Sequence, residues 1–274
     1  MYKISPYNPI FFSPSTDSGG YVSRYIQEFA CSDRIMIQVI GYNTSVAPQL
    51  VLHRLLPEKS YKLAMRVWQI NSLEKLFYVN LVGLEPGMYY VELAGSLSDV
   101  FYIKEQPADT VLLQYSNRGN VKTKDAVFYI ENVQHFFDFR IPGGFKDQDW
   151  MFGVENEQYT TSDNDVIDVY SYSFSMKKLT IGNSRGCPVW YAELINRLLS
   201  CDFVYIDGVR YGRYESNVPE MTVLLEGYKS FVFKQVLRRI ENLDPEIEER
   251  NRLLMMRTTG TSNRFVSDNI RILK

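Results

Sequence analysis

Residues 180–214 read TIGNSRGCPVWYAELINRLLSCDFVYIDGVRYGRY. Pro188 stands where the first turn of a helix tolerates a missing N–H. Trp190, Leu194, Ile195, Leu198 and Leu199 then recur at three- and four-residue intervals, while Glu193, Asn196 and Arg197 fall on the other side. The spacing predicts a helix over 188–201, ended by Cys201-Asp202. Segments 203–206 and 209–214 follow at once around Asp207-Gly208. That two-residue insert favours a primed hairpin turn, because Gly accepts positive φ freely and Asp tolerates it. One amphipathic helix running into a tight hairpin describes a β-rich scaffold with a single helix packed on it.

The flanking sequence extends that pattern. Segments 34–41 (RIMIQVIG), 49–56 (QLVLHRLL), 61–70 (YKLAMRVWQI), 75–81, 88–94 and 99–104 read as short strands at regular spacing. In 61–70, Tyr61, Leu63, Met65 and Val67 share one face, and Lys62, Ala64 and Arg66 share the other. Glu85-Pro86-Gly87 carries turn chemistry. Such a run is the signature of a β-sandwich of roughly 100 residues. The polar, Pro-bearing EQPAD at 105–109 marks a boundary, giving an N-terminal β-sandwich domain over 1–106. A second β-rich domain is expected over 107–241. Its strands fall at 110–116, 126–130 and 135–141, where His135, Phe137, Phe139 and Ile141 alternate. Pro142-Gly143-Gly144 is expected to end that strand. Residues 145–165, with Asp147, Asp149, Asp163 and Asp165, read as an acidic loop. Strands resume at 166–173 and 176–182 and, past the helix and hairpin, at 220–226 and 229–240 around Gly227. Residues 242–274 are expected to form a C-terminal helix and arm, with Asp244 as N-cap, Pro245 in the first turn and Glu246, Glu248 and Glu249 favoured by the macrodipole. The fold class is therefore mainly β: two β-sandwich-like domains, the second carrying one packed helix, plus that C-terminal element.

Composition narrows the function. Lysine and arginine number 30 against 32 carboxylates. That balance lacks the basic footprint of a nucleic-acid or anionic-membrane partner. Cys31, Cys187 and Cys201 fit no zinc spacing, and their odd number argues against a disulfide framework. They read as small buried hydrophobes in a reducing compartment. Pro6, Pro9 and Pro14 interrupt every apolar run at the N-terminus, so no signal peptide is expected, and no apolar run is long enough to span a membrane. Synthesis in the cytoplasm is expected.

No chemical signature rises from the sequence. His53 and His135 sit in expected strands with no metal-binding spacing and read as structural. No G-x-S-x-G elbow is present. The run Asp163-Asn164-Asp165-Val166-Ile167-Asp168 lacks the spacing, glycine and closing Glu of a calcium loop. The segment 182–186, GNSRG, lacks the P-loop Lys-Ser/Thr and reads as a turn. Catalytic, cofactor and metal residues are accordingly expected to be none. Aromatics make up 14% of the chain, with 20 Tyr and 16 Phe. Most serve β-packing. Tyr42, Trp150, Phe152 and Tyr159, in apparent loops, are the candidate interface or sugar-stacking residues.

Three stretches carry a resemblance: YNPIFFSP at 7–14, LEPGMYYVELAGSLSDVFYI at 84–103, and FRIPGGF at 139–145 with KLTIGNSRGCPVWYAELINRLLSCDFVYIDGVRYGR at 178–213. With NLDPEIEERN at 242–251, they resemble tail-associated structural proteins of phages and prophages of gut Bacteroidetes. The resemblance implies a non-enzymatic tail or baseplate subunit in the virion. It would be analogous to the distal tail protein, which forms a homo-oligomeric ring and docks to other tail proteins. Ring contacts of that kind favour Tyr, Phe, Trp, Met and Arg, all supplied here. A carbohydrate-binding or adhesin-like β-module, with glycan as partner, is the alternative. An enzyme acting on glycan or peptide is a third reading, which needs a cluster of converging carboxylates or a nucleophile–base pair.

Overall fold

The computed structural model describes residues 1–13, 25–120, 126–184, 186–214, 220–225 and 230–240. The expected C-terminal helix and arm lie outside the described residues, as does Gly227. The described chain is mainly β, with one α-helix.

The first eleven strands are β1 (Tyr2–Ile4), β2 (Phe12–Ser13), β3 (Gln27–Ala30), β4 (Ile35–Tyr42), β5 (Leu50–Arg54), β6 (Lys59–Leu63), β7 (Arg66–Gln69), β8 (Glu74–Leu81), β9 (Gly87–Leu93), β10 (Ser96–Ser98) and β11 (Phe101–Lys104). One sheet runs β1-β4-β8-β7, and the facing sheet β2-β10-β9-β11-β3, with β5 added on β9 and β6 on β5. Ile35, Ile37 and Val39 of β4, Phe77 and Val79 of β8, and Leu52, Val91, Phe101 and Ile103 from the facing sheet fill the space between them. This is a β-sandwich, and every pairing in it is antiparallel except β3 with β11.

The alternate residues of β4 and β8 do not face water. Met36, Ile40, Leu76 and Tyr78 belong to a second cluster, with Tyr115, Phe128, Phe137, Phe139 and Tyr191 from the other half of the chain. The sheet of β4 and β8 is thus covered on both faces. That explains the near-continuous apolar run IMIQVI, since a strand buried on both sides has no polar face to alternate with.

The expected single strand over 61–70 is two. β6 pairs with β5 in one sheet, and β7 pairs with β8 in the other. The chain crosses between sheets at Ala64-Met65, and its inward phase shifts there. Leu63 and Met65 are buried, Val67 is exposed, and Trp68 and Ile70 pack on the second cluster instead.

The remaining elements are β12 (Thr110–Ser116), β13 (Tyr129–Ile130), β14 (Val133–Gln134), β15 (Phe137–Thr160), β16 (Val166–Ile181), α1 (Val189–Leu198), β17 (Phe203–Ile206), β18 (Val209–Arg213), β19 (Glu220–Leu225) and β20 (Ser230–Arg239). Six of them close on themselves in the order β12-β15-β16-β20-β18-β17, all antiparallel, with β19 added on β20. Closure leaves those strands few open edges. α1 begins at Pro188, its N-cap, and buries Trp190, Tyr191, Leu194, Ile195 and Leu198. The Tyr191 ring lies 4.9 Å from that of Phe139. Asp207 (φ 46°) and Gly208 (φ 81°) make the primed turn between β17 and β18.

Four strand expectations are corrected here. Pro142-Gly143-Gly144 does not end β15. Gly143 (φ 104°) passes so close to β16 that a Cβ would collide with the Thr180 carbonyl oxygen. The glycines bend the strand, and β15 exchanges β12 as its partner for β16 at that point. Residues 145–165 are mostly strand, not loop, and 166–181 is one strand, not two. His135 precedes β15 and lies outside it.

Polar groups tie the two halves. Arg140 grips Asp33 through Nε–Oδ2 (2.6 Å) and Nη2–Oδ1 (2.8 Å). Arg34 donates its N–H to Asp138 Oδ2 (2.9 Å) and its Nη2 to the Phe136 carbonyl (3.0 Å). The Gln38 side-chain amide exchanges two hydrogen bonds with the backbone of Val127.

Candidate functional site

Among the described residues, β15 beyond Trp150 pairs only with β16, and from Ser175 to its start β16 pairs only with β15. The two form a ribbon projecting from the closed ring. Ten residues of strand at about 3.3 Å each give it a reach of roughly 30 Å. Its tip is tied by Thr161, whose N–H donates to the Asp165 carbonyl (2.8 Å) and whose Oγ1 accepts from the Asp165 N–H (3.1 Å). Asn164 takes positive φ there. The register skips Val169, so the bulge lies on β16 and the edge of β15 stays regular from Trp150 to the tip.

Both faces of the ribbon carry exposed apolar side chains. Trp150, Phe152 and Val154 share one face, opposite Lys177, Ser175 and Ser173. Phe152 is 78% exposed, and its ring stacks with that of Trp150 at 6.0 Å and 9°. Lys177 Nζ sits 3.6 Å from the Trp150 ring centroid, a cation–π contact at the root of the ribbon. Phe174, Tyr172 and Tyr170 line the other face, and Tyr159 and Ile167 pair near the tip. Arg238 of β20 lies over Phe174 (4.3 Å) and bonds Glu155 at 3.2 Å. Tyr172 donates to the same carboxylate. These two hydrogen bonds, Tyr172 first and Arg238 second, hold the Glu155 carboxyl below its usual range.

The ribbon is also strongly acidic. Residues 151–176 contain Glu155, Glu157, Asp163, Asp165 and Asp168 and no Lys or Arg. Asp168 accepts from Gln158 Nε2 (2.8 Å), and Asp165 caps the tip through the Val166 N–H (3.0 Å). Among the described residues no three His, Cys, Asp or Glu side chains are grouped to hold a metal ion.

Of the four aromatics singled out from the sequence, the structure brings three to this ribbon: Trp150, Phe152 and Tyr159. All four are in strands, not loops. Tyr42 closes β4 elsewhere, half-buried against the second cluster. The sequence reading missed Val154, Val166, Ile167, Val169, Tyr170 and Tyr172, all exposed. Alternation of Trp150, Phe152 and Val154 was the available signal for part of this set.

Other candidates resolve into structure. His53 Nδ1 lies 2.8 Å from Ser60 Oγ, and its Nε2 lies 3.5 Å from Glu92 Oε2. Ser60 is the cross-strand partner of His53 on β6, Tyr90 its partner on β9 with the rings stacked at 4.5 Å, and Glu92 a diagonal neighbour on β9. It lies on an open sheet face and lines none of the clefts described here. The turn 182–184 borders a cleft of about 410 Å³ with Gly143, Lys146, Thr180 and Lys234. A second cleft of about 410 Å³ lies between the N-terminal segment and α1, walled by Phe11, Trp190 and Arg197. Burial raises the Cys187 thiol and pushes that of Cys201 up to about 12. Both are therefore poor nucleophiles. Cys187 is buried as expected, whereas Cys31 and Cys201 are only half-buried.

Comparison with protein-family models, with curated proteins and with solved structures finds no match for this chain.

Proposed function

We propose that this protein is a non-enzymatic structural subunit of a phage or prophage tail or baseplate, acting by self-association and by docking to other tail proteins in the virion. The observation that carries the reading is the β15–β16 ribbon. A two-stranded hairpin is marginal in water by itself. Here it also exposes Phe152, Val154, Tyr159, Ile167 and Val169, far from the body's own core. Apolar surface of that kind, rimmed by carboxylates, marks a protein contact. The resemblance of segments 84–103 and 178–213 to tail proteins supplies the setting.

The experiment is the mass in solution by light scattering, for the whole chain and for a variant whose ribbon is shortened by replacing 154–173 with Asn-Gly. The expected result is a defined oligomer from the whole chain. A monomer at every concentration, with no affinity for other tail components, sinks the reading.

The stacked, exposed pair Trp150 and Phe152 favours one second reading, a platform for sugar rings. Binding on a glycan array that is lost in Trp150→Ala would establish it.

A further inference from the structure

Among the described residues the ribbon has one regular unpaired edge, residues 150–160 of β15, because Val169 bulges the edge of β16. The body has an open edge of opposite charge. β6 pairs with β5 alone among the described residues. Lys59 and Lys62 on β6 are exposed, and β6 itself holds no carboxylate. The edge at β3 is different, since Glu28 there is paired with Lys104.

We propose that the β15 edge of the ribbon adds as a strand to the β6 edge of a second copy of this chain, with Glu157 facing Lys62. This deepens the self-association proposed above and rests on it. Edge addition satisfies the backbone N–H and C=O groups that both edges leave open, and alternate side chains fix the partner. The charges act in both directions. Lysines on β6 repel a second β6, and carboxylates on the ribbon repel a second ribbon, so the like pairings are disfavoured. The unlike pairing is attractive and joins two different surfaces. It is head-to-tail, the kind of contact that generates a ring when its rotation closes.

The test is a charge swap on the full chain, read by light scattering and sedimentation. Lys62→Glu and Glu157→Lys are each expected to weaken self-association about fivefold, as a reversed surface pair should. Lys62→Glu with Glu157→Lys in one chain is expected to return to within about twofold of the starting protein. The ribbon-shortened variant is expected to be monomeric. Thermal melts of all variants establish that the body is folded. Assembly that is lost on shortening but indifferent to Lys62→Glu overturns this inference, because the ribbon then docks elsewhere, and leaves the proposed function standing. Assembly that survives shortening overturns it as well. A starting protein that is monomeric at every concentration overturns this inference, and overturns the proposed function as well when it also has no affinity for other tail components.

Discussion

His135 makes the fold sensitive to pH. Burial, then the positive charges of Arg34 and Arg66, lower its pKa from 6.5 to about 4. The folded state therefore holds it neutral, while the unfolded chain takes up a proton near pH 6.5. Its contribution to stability is complete above pH 6.5, declines as pH falls, and is gone below about 4. At about 1.4 kcal/mol per pH unit over that window, the loss is about 3 kcal/mol. Urea unfolding between pH 7 and pH 4 should show this decline in the starting protein. It should be smaller by about that amount in His135→Gln, whatever the variant's absolute stability. Gly143 is a second residue on which the fold depends. An Ala there meets the Thr180 carbonyl and sits at φ 104°. Both faults are in the backbone, so neither relaxes by rotating a side chain. Gly143→Ala should lower the unfolding free energy by about 2–4 kcal/mol, read from the denaturant midpoint. Gly208→Ala has open space around its Cβ and should cost only the turn's φ preference, about 1 kcal/mol.

At the scale of elements, the ribbon and the body are separable. Among the described residues, those of 154–173 pair only with each other, apart from the exposed contacts of Glu155 and Tyr172 with Arg238. Replacing 154–173 with Asn-Gly should therefore change the body's unfolding free energy by less than about 1 kcal/mol, the worth of such surface contacts. A large loss in a thermal melt would mean the ribbon is part of the core. The same contrast explains what the sequence made legible. α1 and the Asp207-Gly208 turn were readable because helical period and turn chemistry are local. The division of 61–70 into β6 and β7 was not. Alternation says which side of a strand is apolar, but not which sheet the strand joins. The ribbon was masked for a related reason. A strand pair bathed in water on both faces carries carboxylates at the density of a loop, and Asp163 and Asp165 belong to its tip. Trp150, Phe152 and Tyr159 were legible as a surface. Their shared element was not, because it depends on Gly143 and Gly144 carrying β15 past an apparent stop.

At the scale of the molecule, the sheet of β4 and β8 is common property. Its inner face closes the sandwich, and its outer face, through Met36, Ile40, Leu76 and Tyr78, closes the core that includes α1. A division of the chain near residue 106 is a division in sequence; the packing crosses it. The Asp33–Arg140 pair seals the same seam. The Asp33 side chain is 1% exposed and that of Arg140 13%. Burial is the largest single influence on the Arg140 pKa and would lower it, but the hydrogen bond to Asp33 and the negative charges of Asp33, Asp207 and Asp138 together outweigh it and raise the pKa. Asp33 also accepts the Ala30 N–H at 2.7 Å, which ties the turn after β3 to the pair. Asp33→Asn would keep the shape and leave a guanidinium buried without its counter-charge. Losing one partner of a buried pair costs about 3–5 kcal/mol, far more than the same change at an exposed pair. Calorimetry should show the variant's transition moved to lower temperature yet still single, since both cores lose their common sheet together. Two resolved peaks, in either protein, would mean that the halves fold independently and that the shared sheet is a contact between finished domains.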